Sequence, residues 1–242
     1  MPEGLVDVSV FDRYSEQYKA ILDASLSGSR TGADSKFFAD YKARYTARFA
    51  GAGFAGKVLD FGCGIGLVSD SLKKCLPEAR IHGFDESQGS IRQISSDLRA
   101  QGTFTCDSKE LETDYDLIVV ANVLHHVPPE ARRTLCGELY SRLNHAGRLL
   151  VFEHNPRNPF TVWVVNHCPF DEDAVLLLPT EILAYLRDAG FHSLAHRYIM
   201  FFPRPLALGR RLEPLLGWCP LGAQYAVEAC KGSEGSGYDA IR

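Results

Sequence analysis

Apolar and polar positions change their period three times along the chain. Between Phe11 and Ser27, the residues Tyr14, Tyr18, Ile21, Leu22 and Leu26 recur at helical spacing, and a second helical stretch runs over 34–49. From Lys57 the pattern alternates. Short apolar runs at 57–61 (KVLDF), 80–84 (RIHGF), 103–105, 116–121 (DLIVVA) and 148–153 predict strands, and the stretches 67–76, 87–100 and 129–143 predict helices between them. Strand and helix in strict alternation predict a parallel sheet covered on both faces.

After Glu153 the regularity fails. Residues 155–179 hold Pro156, Pro159, Pro169 and Pro179, a helix is expected over 180–188, and Gly190 stops it. Strand patterns return at 193–202 and 223–229. The run between them, FFPRPLALGRRLEPLLGWCPL (201–221), is expected to be a buried connection rather than a membrane-surface contact. The irregular segments and the N-terminal helices are placed over the ligand edge of the sheet, because long irregular loops in compact domains tend to be functional. The resulting layout is one α/β domain: a helical lid (1–50), a core (57–154), a cap with the last strands (155–231) and a flexible tail (232–242).

Composition narrows the function. The chain has 242 residues, 45% of them apolar and 23% charged, as folded globular chains do. Its formal charge of -4, from 26 basic and 30 acidic side chains, gives no footprint for nucleic-acid backbones. The seven cysteines form no CxxC pair or Cys/His quartet at zinc spacing, so reduced thiols and no metal site are expected. No leader-like segment and no run of about 18 apolar residues is seen, so a cytoplasmic location is expected, with a monomer or homodimer.

The most informative stretch is 58–66, VLDFGCGIG, where a buried strand runs into Gly62, Gly64 and Gly66. A turn this tight needs residues without a Cβ, and it lets the backbone approach a ligand at the next helix N-terminus. The spacing is GxGxG; the dinucleotide fingerprint GxGxxG would need its third glycine one position later. Asp60 would repel a pyrophosphate and could receive a cationic amino group. Asp85 ends the second strand 19 residues after Gly66, where a carboxylate accepts ribose hydroxyls. A ribose joined to a cationic amino acid describes S-adenosylmethionine.

Taken in order, DFGCGIG, FDES, FTCDS and YDLIVVANVLHHVP resemble the class I S-adenosylmethionine-dependent methyltransferases of small molecules, motif by motif over 57–154. The resemblance implies a Rossmann-like doubly wound sheet of seven strands in order 3-2-1-4-5-7-6, the last antiparallel. It implies S-adenosylmethionine as cofactor, with Gly62, Cys63, Gly64 and Gly66 at the methionine portion and Asp85, beside Glu86, at the ribose. It further implies Asp107 with Cys106 and Ser108 at the adenine edge, the Asn122 carbonyl at the amino group, and Tyr14 and Tyr18 in a lid.

Methyl transfer needs alignment and desolvation, and a base only where the acceptor carries a proton. His126, in the turn after the fourth strand, is the expected base, with His125 pointing elsewhere. Glu153, His154 and Asn155 form a second cluster at the end of the fifth strand, stiffened by Pro156 and Pro159, in which Glu153 and His154 are further catalytic candidates, the carboxylate orienting the histidine or accepting a hydrogen bond from a polar acceptor. The (Asn/Asp)-Pro-Pro-aromatic motif of amide and base N-methylating members is absent from the fourth strand. Arg30, Lys42, Arg44 and Arg157 are expected on a solvated face. Phe160, Trp163, Phe170 and Tyr225 are expected in the core or as lining of an acceptor pocket. The expected activity is methyl transfer to a small-molecule or carrier-linked acceptor, at oxygen first and at carbon or amine nitrogen next. The alternatives are an inactive cofactor-binding partner subunit and a dinucleotide oxidoreductase.

Overall fold

The computed structural model describes residues 35–202 and 204–232. Helix α1 (Ser35–Ala50) precedes β1 (Lys57–Phe61), α2 (Leu67–Cys75), β2 (Arg80–Phe84), α3 (Gln88–Gln93), α4 (Ser96–Arg99) and β3 (Gly102–Thr105). Then follow β4 (Tyr115–Ala121), α5 (Pro129–Arg142), β5 (Leu143–His154), α6 (Pro159–Val165), α7 (Pro179–Asp188), β6 (His192–Ile199), α8 (Glu213–Leu216) and β7 (Gln224–Cys230). A 3-10 turn, Arg204–Leu212, leads into α8. The seven strands lie in the order β3-β2-β1-β4-β5-β7-β6, with β1 to β5 parallel and β7 antiparallel to both β5 and β6. That is the predicted order.

The central strands are apolar on both faces because both faces are covered. Along β4, Ile118 and Val120 join Leu59 and the α5 and α7 residues Leu135, Leu139, Ile182 and Leu186 in one core. Their neighbours Leu117 and Val119 turn the other way, to Val58, Phe152 and the α1 and α2 residues Ala43, Phe49 and Leu72.

Three segments depart from the sequence reading. The helix expected over 87–100 is two short helices, because Ser87 and Ser95 each accept a backbone N–H and start a new turn. The segment 155–179 contains α6, which begins where the Asn158 side chain accepts from the Phe160 and Thr161 amides and Pro159 follows. The third departure corrects an expectation: 201–221 is not a buried connection. Leu208 is 90% exposed, Trp218 78% and Leu215 71%. Its inward anchor is polar, the buried Glu213, which accepts hydrogen bonds from Tyr41 Oη and the Phe201 and Phe202 amides. Leu208, Leu212, Leu215 and Leu221 therefore face out.

The helix expected over 11–27 with Tyr14 and Tyr18, Arg30, and the residues from 233 lie outside the described residues. Among the described residues no helix is long and apolar enough to cross a membrane.

Candidate active site

A cavity of about 370 Å³ opens at the C-terminal edge of β1, β2, β4 and β5, where open α/β sheets bind ligands. Its two halves are built differently.

The first half is backbone. Gly62, Gly64 and Gly66 have φ of 77°, 53° and 82°, the left-handed region that glycine enters without strain. A Cβ on Gly62 would stand 2.3 Å from Val123 Cγ2, whereas one on Gly64 would meet nothing within 4 Å, so the turn leaves open space for a ligand there. Asp85 fixes the turn: its carboxylate accepts from Gly64 N at 2.8 Å and from Ser87 N at 2.9 Å. Behind the turn Asp60 is fully buried, with one oxygen accepting from Ser69 Oγ at 2.6 Å and the other unpartnered among the described residues. Burial pushes its carboxyl up to about 6, against the lowering effect of the Ser69 hydrogen bond.

The second half is side chains. The strand tips of β4 and β5 bring Asn122, His125, His126 and His154 to the cavity wall, and the loop after α6 adds Asp171. Asn122 holds a left-handed φ of 59°, which an asparagine tolerates better than most residues. Its side chain accepts from Lys42 Nζ at 2.7 Å and lies 2.7 Å from His154 Nε2. Glu153, one layer back, accepts from the Val123 and Leu124 amides and from His125 Nδ1 at 2.5 Å. The three imidazoles are packed together, His125 lying 4.1 Å from His126 and 5.1 Å from His154 between ring centres.

Electrostatics separates them. Burial opposes charge on His125, but the Glu153 and Asp171 carboxylates outweigh it and raise its pKa to about 9. Burial and the charged His125 lower His126 to about 3 and His154 to about 4, so both are neutral. Lys42 is lowered to about 8 by burial, partly offset by Glu153 and Asp60.

The structure revises several residue assignments. His125 does not point elsewhere; it faces the cavity, and it, not His154, is the histidine paired with Glu153. Gly62, Cys63, Gly64, Asp85, Glu86, Asn122, His126 and His154 line the cavity, while Asp60, Gly66 and Glu153 stand behind its wall. Cys106, Asp107 and Ser108 are not on the wall; Asp107 caps a short turn through the Lys109 amide at 2.8 Å. Lys42 is not on a solvated face but buried, although Arg44 and Arg157 are exposed as expected. Of the aromatic residues, Phe160 and Phe170 line the cavity, Trp163 is exposed off the wall, and Tyr225 is buried with its hydroxyl on Leu177 O. Asp171 and the cavity role of Lys42 went unread in the sequence. Lys42 was detectable, because Phe38, Lys42, Tyr45 and Phe49 fall on one helical stripe; Asp171 has no such signal.

A seven-stranded sheet in this order, with a glycine turn after β1 and an acid ending β2, defines the class I methyltransferase fold. S-adenosylmethionine fits the first half: the open space over Gly64 admits the ligand, and Asp60, just behind the wall, keeps one oxygen without a partner among the described residues. Comparison with known proteins agrees. Residues 59–149 match the family model described as a methyltransferase domain. A carboxy-S-adenosyl-L-methionine synthase from a Shewanella strain is 28% identical over 106 residues, 40% of this chain and 44% of that protein. An uncharacterized methyltransferase of Emericella nidulans is 34% identical over 106 residues, 43% of this chain and 35% of that one. The chain thus spans less than half the length of these curated relatives. Among solved structures, human N-acetylserotonin methyltransferase superposes with a TM-score of 0.66 at 17% identity, covering 96% of this chain and 61% of that one. A SAM-dependent methyltransferase from Archaeoglobus fulgidus gives 0.64 at 16%, covering 82% and 95%. Residues 59–149 thus match a methyltransferase domain, and the fold around them is the one these solved methyltransferases share.

Proposed function

We propose that the chain transfers the methyl group of S-adenosylmethionine to the oxygen of a small-molecule or carrier-linked acceptor. The observation that carries this reading is the single cavity shared by the glycine turn and the imidazole cluster. The cofactor supplies a methyl group on a good leaving group, so the protein's task is alignment, desolvation and disposal of a proton.

Each residue has a part in this reading. Gly62 and Gly64 let the backbone lie against the methionine portion, Asp60 takes the ammonium group, and Asp85 turns one carboxylate edge to the ribose hydroxyls. Lys42, held over the cavity by Asn122, balances negative charge on the ligands. His126 lines the cavity 3.4 Å from Asp171 Oδ1, so its ring accepts the acceptor's proton as the new bond forms with a carboxylate beside it to hold the imidazolium, and the charged His125 between its carboxylates stabilises negative charge developing on the oxygen. Phe160 and Leu221 border the acceptor's side of the cavity, and they are apolar, as a water-excluding wall requires. We place Tyr14 and Tyr18 as the cofactor's cover and treat the chain as one domain.

Calorimetric titration tests the reading. S-adenosylmethionine should bind and NAD should not; NAD binding in preference would overturn it. His126→Ala should lower turnover about a hundredfold while cofactor affinity holds, as expected for a lost general base. An unchanged turnover would remove His126 from the mechanism.

A further inference from the structure

We propose that His125, His154 and Asp171 form a binding site for a divalent first-row transition ion. One ring nitrogen of each histidine and a carboxylate oxygen of Asp171 lie within 4.8 Å of one another, on three segments: the turn after β4, the end of β5 and the loop after α6. Within this set His125 Nε2 stands 3.4 Å from Asp171 Oδ1. Ligand atoms bound at roughly 2.0–2.2 Å in tetrahedral geometry are separated by about this distance. The cluster already has near-ligand spacing around one oxygen.

A second observation points to a ligand. His125 Nε2 is buried and makes no hydrogen bond among the described residues, although the side chain lines the cavity. A buried nitrogen that makes no hydrogen bond is costly; a divalent cation between it and Asp171 Oδ1, 3.4 Å away, would take the place of its proton and serve both groups. Its other nitrogen, Nδ1, is held by Glu153, which two backbone amides fix in turn. A metal-ligating histidine usually has this outer support, which sets the tautomer and aims the free nitrogen. His154 is supported by Gln224, 3.4 Å from its Nδ1, and exchanges its Asn122 contact at Nε2 for the ion.

The donor set limits the ion. Two imidazoles and one carboxylate suit iron(II), cobalt(II), nickel(II) or zinc(II) and not magnesium or calcium, which prefer oxygen. Three protein ligands leave coordination positions for an acceptor oxygen on the cavity side, and this part rests on the proposed transferase function. The ion binding itself does not.

The test uses the full chain, stripped with a chelator and titrated with cobalt(II). One ion per chain is expected, with visible bands of nitrogen and oxygen coordination and no thiolate charge-transfer band. Asp171→Asn should weaken cobalt binding a hundredfold or more, and Glu153→Gln ten- to a hundredfold, while S-adenosylmethionine titration and thermal melting confirm a folded protein. Should Asp171→Asn fail to fold, His154→Gln carries the same test. The proposal fails if a chain that binds S-adenosylmethionine takes up no stoichiometric cobalt, if thiolate bands appear, or if affinity is indifferent to these substitutions. A chain that binds cobalt here but not S-adenosylmethionine keeps the metal site and overturns the transferase reading.

Discussion

The two halves of the cavity solve the problem of holding a ligand in opposite ways. Around Gly62, Gly64 and Asp85 the wall is main chain, set by φ angles and by one carboxylate that binds its own loop. Around His125, His126 and His154 it is side chains from distant segments, each held by another side chain. The first wall is local and rigid, while the second depends on a network of buried charges. Damage should therefore spread differently in the two.

The largest contrast is expected from removing a network member. Glu153→Ala leaves a buried imidazolium with Asp171 alone and frees two amides, so unfolding free energy should fall by about 3–5 kcal/mol in chemical denaturation. A loss below about 1 kcal/mol would show that the second half is not a charge network. On the other side, Asp85→Ala should cost less stability but at least a hundredfold in S-adenosylmethionine affinity by calorimetry, since ribose and turn lose the same acceptor. Retained affinity would move the ribose elsewhere.

The smallest effect is a pH dependence at Asp60. Its folded carboxyl titrates near 6, above the unfolded value, so the folded state binds more protons between about pH 4 and 6. Its contribution to stability is greatest below that window and is lost as pH rises through 6. Cofactor affinity should move the other way, falling up to tenfold per unit as pH drops below about 6 and the carboxylate is neutralised. The mutant Asp60→Asn should lack both trends, and a flat wild-type profile would exclude Asp60 as the ammonium acceptor.

The same contrast explains what could be read from sequence. The alternation of strand and helix, the glycine turn and Asp85 are legible because short-range spacing encodes them, whereas the strand order follows only from the family resemblance those motifs carry. The pairing of His125 with Glu153 is not, because which of two adjacent histidines faces a strand tip depends on the turn's backbone, and nothing in VLHHVP distinguishes them. Asp171 lies in an irregular loop where no period exists. The stretch 201–221 misled for a physical reason: its leucines read as core, but a single buried carboxylate, Glu213, anchors it.

The place of β7 has a consequence for how the protein is made. Residues 224–230 pair with β5 on one side and β6 on the other, so the sheet is filled from within by the last of its seven strands that the ribosome delivers. Until then β5 presents Leu149, Leu150, Val151 and Phe152 along an open, apolar edge, a template for pairing with another nascent chain. Synthesis that stalls before Gln224 strands β6 as well, since among the described residues β7 is its only partner in the sheet. Yield in a cell should thus depend on chaperones that shield this edge more than on the folded protein's own stability.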